Sequence, residues 1–476
     1  MQRVLKINTT YKNLFERSKR IFPFLLIIAV IIILFHSYFG HNFMADDWFL
    51  IQEAKTHNYY QAFVLDFFKS DFYRPMTRYV LFKISYNFFK LNPKGYRIII
   101  FSLFILNNLL IYAIAERLLK RKDAALFTSL VYASRITPHS FTLYWISAGF
   151  QEASMVLFLL CSIYLYLQHI RYGNKLLYVS SLFCSILALI SKEDSTILPL
   201  LIFLIELYAR TPKSDFDLKT LLRRILPFLI ISSVSFFRLY FLIPYFKVPG
   251  IYEVGFPLIM LCQNFIHFAK ISFNNYFEML IFGTLILLAV LKAENKKNLV
   301  LSISWFVIGL SPFIFFKEHF FLHYLSVSLV GFSLLISIGI TYIKDTFPSV
   351  KWLLTPILVC ILLFTPYSNR QRDKEEAYQF LCNMELSSNN VISYLKRSFP
   401  QFPPESLIYI KKGDGDLGDF SCSLGGGAAI NLNYDEIPVY FESDLNKSPG
   451  RFQGKTIYFF ILKNNSIEFL NKSEKP

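Results

Sequence analysis

Charged residues are scarce in this chain of 476 residues. Asp, Glu, Lys and Arg make up 17% of it, whereas a soluble globular domain has nearer to about 25%. Apolar residues reach 54% and aromatic residues 18%. This balance excludes an ordinary cytosolic enzyme and a disordered chain, because both carry a larger share of charge.

Cysteine is also sparse, with six residues at spacings that match no metal-binding pattern. The composition therefore excludes a disulfide scaffold. Four cysteines fall in apolar runs, where this residue is typical as a small hydrophobe: Cys161, Cys184, Cys262 and Cys360. Cys382 and Cys422 lie in the C-terminal tail, and the sequence leaves open whether they pair.

Long apolar runs are what the chain does have, at the length of about 17–25 residues that crosses a bilayer. The first, Ile21 to about Phe39, follows a basic N-terminus without a cleavage site, so we expect a retained span. The stretch 257–273 is apolar but polar at four positions, which favours an interfacial or re-entrant helix. The sequence predicts about eleven spans, the others being 96–116, 123–145, 150–170, 175–191, 195–209, 225–243, 275–291, 299–316, 322–343 and 352–367.

The distribution of basic residues predicts the orientation of these spans in the membrane. With the N-terminus inside, the predicted inner loops hold 22 Lys and Arg in 60 residues, and the short outer segments hold 10 in 91. This bias is the one that cytoplasmic loops carry. It predicts a cytoplasmic N-terminus and, with an odd number of spans, an extracytoplasmic tail in a bacterial inner (plasma) membrane. The net charge of +16 thus belongs to membrane loops and predicts no nucleic-acid partner.

The tail reads as a small α+β domain. Residues 373–383 and 389–397 have helical spacing, and 406–411, 438–442 and 456–462 are β-rich runs bounded by turn residues. The three glycines 425–427 follow no strand–phosphate-loop pattern, so they predict a turn. The fold class is therefore a polytopic α-helical membrane protein. We divide it into a membrane domain, 1–368, whose first outer loop is 40–95, and a soluble domain, 369–476.

The first outer loop carries the most informative pair, Asp46 and Asp47, directly after the first span. Adjacent carboxylates at a membrane exit can act as a general base, as a pair with coupled pKa values or as ligands of a divalent cation. The structural alternative is a helix cap in a solvated loop. The sequence does not decide whether these two carboxylates bind a metal ion.

Other ionisable groups converge on the same predicted side of the membrane. Charged groups at membrane depth are costly and usually face a cavity or a partner. For Arg135 and Arg238, the alternative is that their side chains snorkel to the membrane interface. For the segment 192–194, the alternative is a hydrophilic turn. The candidate substrate-binding residues are Arg74, Arg135, Glu152, Lys192, Glu193, Asp194, Arg238 and His323.

Several segments in this order resemble the membrane part of TMTC-type protein O-mannosyltransferases, in the GT-C class of polyprenyl-phosphate-sugar glycosyltransferases. The similarity covers roughly residues 20–340. The segments that carry it are Tyr73-Arg74-Pro75-Met76-Thr77, Asn92-Pro93-Lys94-Gly95-Tyr96, Asn107-Asn108-Leu109-Leu110-Ile111-Tyr112, Tyr144-Trp145-Ile146-Ser147 to Glu152, Ser191-Lys192-Glu193-Asp194 and His323-Tyr324-Leu325 with Val330-Gly331-Phe332.

This resemblance implies a polyprenyl-phosphate-sugar donor in the outer leaflet and an inverting transfer. An acid in the first loop would be the base, which places that role on Asp46 or Asp47. The chain departs from the family in three ways: its tail has no tetratricopeptide repeats, Phe150 stands where an Arg is common, and His323 replaces a late Arg.

The sequence thus predicts an integral-membrane inverting glycosyltransferase that acts on the outer face. Its partners would be membrane lipid, the polyprenyl-phosphate-linked donor and a protein, glycan or lipid acceptor. The alternatives are a transporter or flippase for a lipid-linked saccharide, a catalytically inactive scaffold, and a polymerase or ligase of glycan chains. The transporter is disfavoured because the ionisable groups cluster at one face, whereas transporters bind near the midplane.

Overall fold

The structure is a computed structural model of the chain. It describes residues 21–70, 72–209, 217–238, 253–292, 296–317, 320–350, 356, 359–364, 376–414, 417–434, 437–442, 456–463 and 465–474. The basic segment 1–20 and most of the predicted span 352–367 lie outside the described residues.

Helices make up most of the described residues from 21 to 346. Short 3₁₀ or π segments stand between them at Gln61–Leu65, Pro75–Leu81, Glu193–Ile197 and Leu322–Leu325. The helices are α1 (Ile21–Gly40), α2 (Asp46–Thr56), α3 (Asp66–Lys69), α4 (Phe82–Phe89), α5 (Pro93–Leu119), α6 (Lys122–Ala133), α7 (Ile136–Tyr144), α8 (Ile146–Tyr172), α9 (Lys175–Leu189), α10 (Leu198–Ala209), α11 (Leu218–Phe237), α12 (Leu258–Ile271), α13 (Tyr276–Lys292), α14 (Lys296–Leu310) and α15 (Ser328–Thr346).

Four of the described helices, α1, α5, α8 and α15, are long and apolar enough to cross a membrane. The pair α12 and α13 passes the same test together but bends by 105° at the break between them. That bend agrees with the re-entrant or interfacial helix expected for 257–273. These helices support an integral membrane location, and the number of about eleven spans stays a prediction.

The predicted span 123–145 is broken in two, as α6 and α7. Pro138 lies in the first turn of α7. Its ring would clash with the carbonyl of Ser134 if one helix continued through this point. That carbonyl instead accepts a hydrogen bond from the Asn274 side chain at 2.8 Å. The break therefore has both a steric cause and a satisfied acceptor.

Small residues bring the membrane helices close together, as is common in bilayers. At Gly331 in α15, an added Cβ would lie 2.5 Å from the backbone nitrogen of Phe306 in α14. Helices α5, α6, α8 and α15 pack on one another and bury aromatic rings such as Phe104 and Tyr132. This bundle is the frame on which the outer segments rest.

The described residues of the tail form three helices, α16 (Glu376–Ser398), α17 (Leu417–Ser423) and α18 (Ala428–Asn433). Its sheet has the order β2-β1-β3-β4, with strands β1 (Ser406–Asp414), β2 (Val439–Phe441), β3 (Thr456–Lys463) and β4 (Ser466–Glu474). Strand β1 pairs parallel with β2 and β3, and β3 pairs antiparallel with β4.

The tail differs from the sequence prediction at two points. The described part of 373–383, from residue 376, and the segment 389–397 belong to a single helix, α16, because the residues between them continue the helix without a break. Strand β4 was not expected, since its sequence is mostly polar, as suits an edge strand with one solvated face. The three predicted strands are present as β1, β2 and β3.

The C-terminal unit packs directly on the first outer loop. Helix α18 contacts α2, and the Ala45 N–H donates to the carbonyl of Ser423 at 3.1 Å. The glycines 425–427 form the expected turn, each with positive φ. At Gly425 an added Cβ would lie 2.8 Å from the carbonyl oxygen of Ala45, so this close approach requires glycine.

Candidate active site

Asp47 is fully buried and is held by backbone groups of two segments. Its carboxylate accepts hydrogen bonds from the N–H of Met44 at 3.1 Å and of Ser147 at 2.7 Å. Ser147 is the second residue of α8, so the carboxylate caps the positive end of that helix. Burial raises the pKa of Asp47 to about 7, against the lowering effect of those two donors and of Arg97. Asp47 thus ties the first outer loop to α8.

Asp46, by contrast, is exposed at the first position of α2. Protein still surrounds it closely enough for desolvation to raise its pKa, with Arg78 and Arg74 acting in the lowering direction. The residue before it, Ala45, has φ of +44°, which is uncommon for a residue with a Cβ and is found at functional sites. This sharp turn leaves Asp46 exposed, within electrostatic range of the guanidinium groups of Arg78 and Arg74.

Arg74 forms a two-pronged ion pair with Glu193. Its Nε donates to Glu193 Oε2 at 2.7 Å, and its terminal nitrogens donate to the other carboxylate oxygen and to Gln151. Burial acts to raise the pKa of Glu193, but Arg74 outweighs it and the pKa falls to about 2. The pair therefore stays ionised at neutral pH.

Lys192 lies between two carboxylates. Its Nζ contacts Glu152 and lies 2.6 Å from Oδ2 of Asp194, and it sits 4.9 Å from the ring centre of Tyr324. Nε2 of His323 approaches Glu152 at 3.6 Å. The lysine, Glu152 and His323 are all buried.

Six of the predicted site residues therefore meet in one place, which we call the ion-pair cluster: Arg74, Glu152, Lys192, Glu193, Asp194 and His323. Two hydrogen bonds hold the first outer loop against it: the Met76 N–H donates to the Ile190 carbonyl at 3.2 Å, and the Thr77 hydroxyl donates to the Ser191 carbonyl at 2.8 Å. Gln151 and Glu152 project from α8, the helix that Asp47 caps.

The other two predicted residues have different partners. Arg135 is fully buried and pairs with Glu278 of α13 at 2.6 Å, so it does not snorkel to the interface. Arg238 donates to the carbonyls of Phe67 and Ser70 and lies 5.3 Å from the ring centre of Tyr73. It therefore braces the first outer loop next to Arg74.

Sequence reasoning missed three charged residues of this region. Arg97 is buried and donates to the carbonyls of His41, Asn42, Leu143 and Tyr144 at 2.9–3.1 Å. An arginine inside the apolar run 96–116 was an available signal for it. Arg78, one turn after Arg74, and Glu385 in α16 carried no local signal.

A metal site is not formed by the described side chains alone, since no three His, Cys, Asp or Glu in those ranges are arranged around one point. Cys382 and Cys422 are free thiols. What the arrangement offers chemically is an accessible carboxylate with a raised pKa, next to cations that are suited to phosphate oxygens.

No protein-family model and no curated protein matches the chain. Among solved structures it is similar to ArnT from Cupriavidus metallidurans in the apo state, with a TM-score of 0.53 and 10% identity over 91% of this chain and 92% of that one. It is also similar to the same ArnT bound to undecaprenyl phosphate, with a TM-score of 0.51 and 12% identity over 92% of each chain. At these identities the likeness shows the fold, and it confirms the expected GT-C resemblance at that level.

Proposed function

We propose that the chain is an integral-membrane glycosyltransferase that takes a sugar from a polyprenyl-phosphate donor. The acceptor is a hydroxyl of a protein, glycan or lipid on the outer face of the membrane. The observation that carries the proposal is the position of Asp46, an exposed acid within electrostatic range of Arg74 and Arg78. The similar ArnT structure with bound undecaprenyl phosphate supports the choice of donor.

The proposed reaction is a single displacement with inversion at the anomeric carbon. The acceptor's hydroxyl oxygen attacks this carbon while the bond from the carbon to the phosphate oxygen breaks. Asp46 accepts the hydroxyl proton, and the phosphate leaves with the electron pair of the broken bond. Desolvation raises the pKa of Asp46, which makes the carboxylate a stronger base near neutral pH.

The cations stabilise the charge that develops on the leaving phosphate. Arg74 and Lys192 are the proposed contacts, and an arginine fork matches phosphate oxygens. Both are held by carboxylates, Arg74 by Glu193 and Lys192 by Glu152 and Asp194. Donor binding therefore requires phosphate oxygens to take over part of these hydrogen bonds.

Three further residues complete the proposed site. Arg78 has longer contacts, 3.5 Å to Glu53 and 3.4 Å to the Phe72 carbonyl, so a phosphate oxygen can replace its present partners most readily. His323, at the edge of the ion-pair cluster, is proposed to contact the sugar. Arg238 supports Arg74 through the loop that it braces.

Donor binding tests the phosphate assignment. Binding of undecaprenyl phosphate to the purified full chain is measured by titration calorimetry in detergent. Arg74→Ala and Lys192→Ala should weaken it by about tenfold or more, since each removes a charge-assisted contact. Lys94→Ala removes an exposed lysine of the same outer region and serves as the matched control. Wild-type affinity in both site variants would remove these residues from the phosphate site.

The product distinguishes the proposal from a lipid carrier. With undecaprenyl-phosphate mannose or glucose in membranes, a transferase releases polyprenyl phosphate and forms a glycoside of opposite anomeric configuration. A flippase moves the lipid and leaves the sugar–phosphate bond intact. Retained configuration would contradict the single displacement, and lipid movement without bond cleavage would contradict the enzyme.

A further inference from the structure

Glu385 links the C-terminal unit to the segment that leads into Asp46. It lies in α16, yet its carboxylate accepts hydrogen bonds from the Asn42 N–H at 2.6 Å and the Tyr144 hydroxyl at 2.5 Å. It also lies 2.9 Å from Nδ1 of His41. Three polar groups from two separate segments of the membrane part thus converge on one carboxylate from the tail.

Arg97 meets the same two segments at their carbonyl groups. It donates to the carbonyls of His41 and Asn42 and to those of Leu143 and Tyr144. The segment 41–42 is therefore fixed through an N–H and a ring nitrogen by Glu385, and through its carbonyls by Arg97.

The C-terminal unit also holds the strained turn itself. The Ala45 N–H donates to the Ser423 carbonyl, and the Trp48 indole N–H donates to Ser388 at 2.8 Å. A residue in an unfavourable backbone region keeps that conformation only when its surroundings fix it. At Ala45, these surroundings include contacts from the tail.

We infer that Glu385 is a positioning residue, through which the C-terminal unit sets the placement of Asp46 for sugar transfer. The inference rests on the proposed function. Glu385 acts through residues 41–45 and does not contact the reacting atoms. The tail is then a part of the active site's framework, and the membrane part alone lacks a fixed base.

The carboxylate suits this task better than an amide would. Two carboxylate oxygens provide about four acceptor positions and carry no donor, which matches the three groups that face them. Hydrogen bonds to an ionised acceptor are roughly twice as strong as neutral ones. A glutamine keeps one oxygen acceptor and turns an NH₂ group towards a donor, so it should hold the segment only in part.

Steady-state kinetics of the full chain test the inference. Misplacement of a catalytic group by about 1 Å can cost about 10²-fold in rate. Glu385→Ala should therefore lower kcat by about 10- to 100-fold and leave the donor KM within about threefold, with Glu385→Gln in between. Glu468→Gln changes an exposed glutamate of the same unit and should retain wild-type kcat. A kcat of Glu385→Ala within twofold of wild type would overturn the inference.

Thiol labelling reports on the same interface without catalysis. Cys382 is half-buried, and the Tyr144 hydroxyl contacts its Sγ at 3.5 Å. Glu385→Ala should speed its labelling by maleimide at least several-fold, and an unchanged rate would overturn the inference. The background replaces the other cysteines by serine: Cys161, Cys184, Cys262, Cys360 and Cys422.

The proposed function and the inference about Glu385 are contradicted by different results. A wild-type chain that neither binds undecaprenyl phosphate nor releases it from a donor ends the proposed function. A wild-type chain that transfers sugar while Glu385→Ala matches it ends only the inference. If Glu385→Ala does not fold, Glu385→Gln and Tyr144→Phe carry the same kinetic test, with a smaller expected loss of kcat and an unchanged donor KM.

Discussion

Replacement of Arg74 by alanine should leave a carboxylate stranded in the ion-pair cluster. In the wild-type chain Arg74 engages both oxygens of Glu193 and the side chain of Gln151. The Glu193 side chain is 23% exposed. The variant removes the counter-charge but keeps the burial, so Glu193 must stay charged without a partner or take up a proton.

The magnitude follows from the pKa of Glu193. Burial acts to raise it, and Arg74 brings it down to about 2 from the ordinary value of 4.5. At about 1.4 kcal/mol per pKa unit, this lowering corresponds to about 3 kcal/mol at pH 7. Lys192 also contributes to it, so Arg74→Ala should cost a large part of that amount. Because the folded-state pKa is depressed, this contribution is complete above about pH 4.5 and is lost as the pH falls towards 2.

Heat unfolding of the purified variants in detergent measures this effect. Arg74→Ala should unfold at a clearly lower temperature than wild type, and Arg74→Ala with Glu193→Gln should regain part of the loss, because the unpaired charge is gone. The difference in unfolding temperature between wild type and Arg74→Ala should narrow as the pH falls towards 2, where Glu193 of the wild-type chain also takes up a proton. An equal loss from Arg74→Ala in the Glu193→Gln background would refute the argument.

Three further predictions concern other parts of the chain. Asp47→Asn should lower stability by about 1–3 kcal/mol, measured by heat unfolding, because an amide has one oxygen for two backbone donors; wild-type stability would contradict its role as a cap. Gly425→Ala should loosen the tail from the first outer loop and speed proteolysis of the tail more than Gly426→Ala does, because both have positive φ but only Gly425 has close neighbours; equal rates would contradict the packing argument. Reporter fusions should place the N-terminus in the cytoplasm and residues 370–476 outside, by the bias of basic loops; a C-terminal reporter active only in the cytoplasm would reverse this topology.

The helical framework could be predicted because apolar runs of membrane length have few alternative structures. Four helices of spanning length and composition agree with predicted spans. The break before Pro138 was missed, although proline in the run was a visible signal. Strand β4 was not predicted because a strand with a solvated face can be mostly polar and then shows no clear apolar pattern.

The candidate site was predictable where its residues share a local turn. Lys192, Glu193 and Asp194 are adjacent in sequence. Arg74 and Glu152 were grouped with them because the predicted topology places all five on the same side of the membrane. The role of Glu385 was not predictable, because 344 residues separate it from His41. Pairings of that separation depend on how the tail packs, and no periodicity in the sequence encodes it.

Release of polyprenyl phosphate from undecaprenyl-phosphate sugars tests whether Asp46 is the base of a sugar transfer. The assay compares the wild-type chain, Asp46→Asn and the control Asp66→Asn, an acid of the same outer loop, at matched amounts of folded protein. We expect release by wild type and Asp66→Asn, and a rate lower by about 10²–10⁴-fold in Asp46→Asn. Release by Asp46→Asn at the wild-type rate would contradict the assignment of Asp46 as the base.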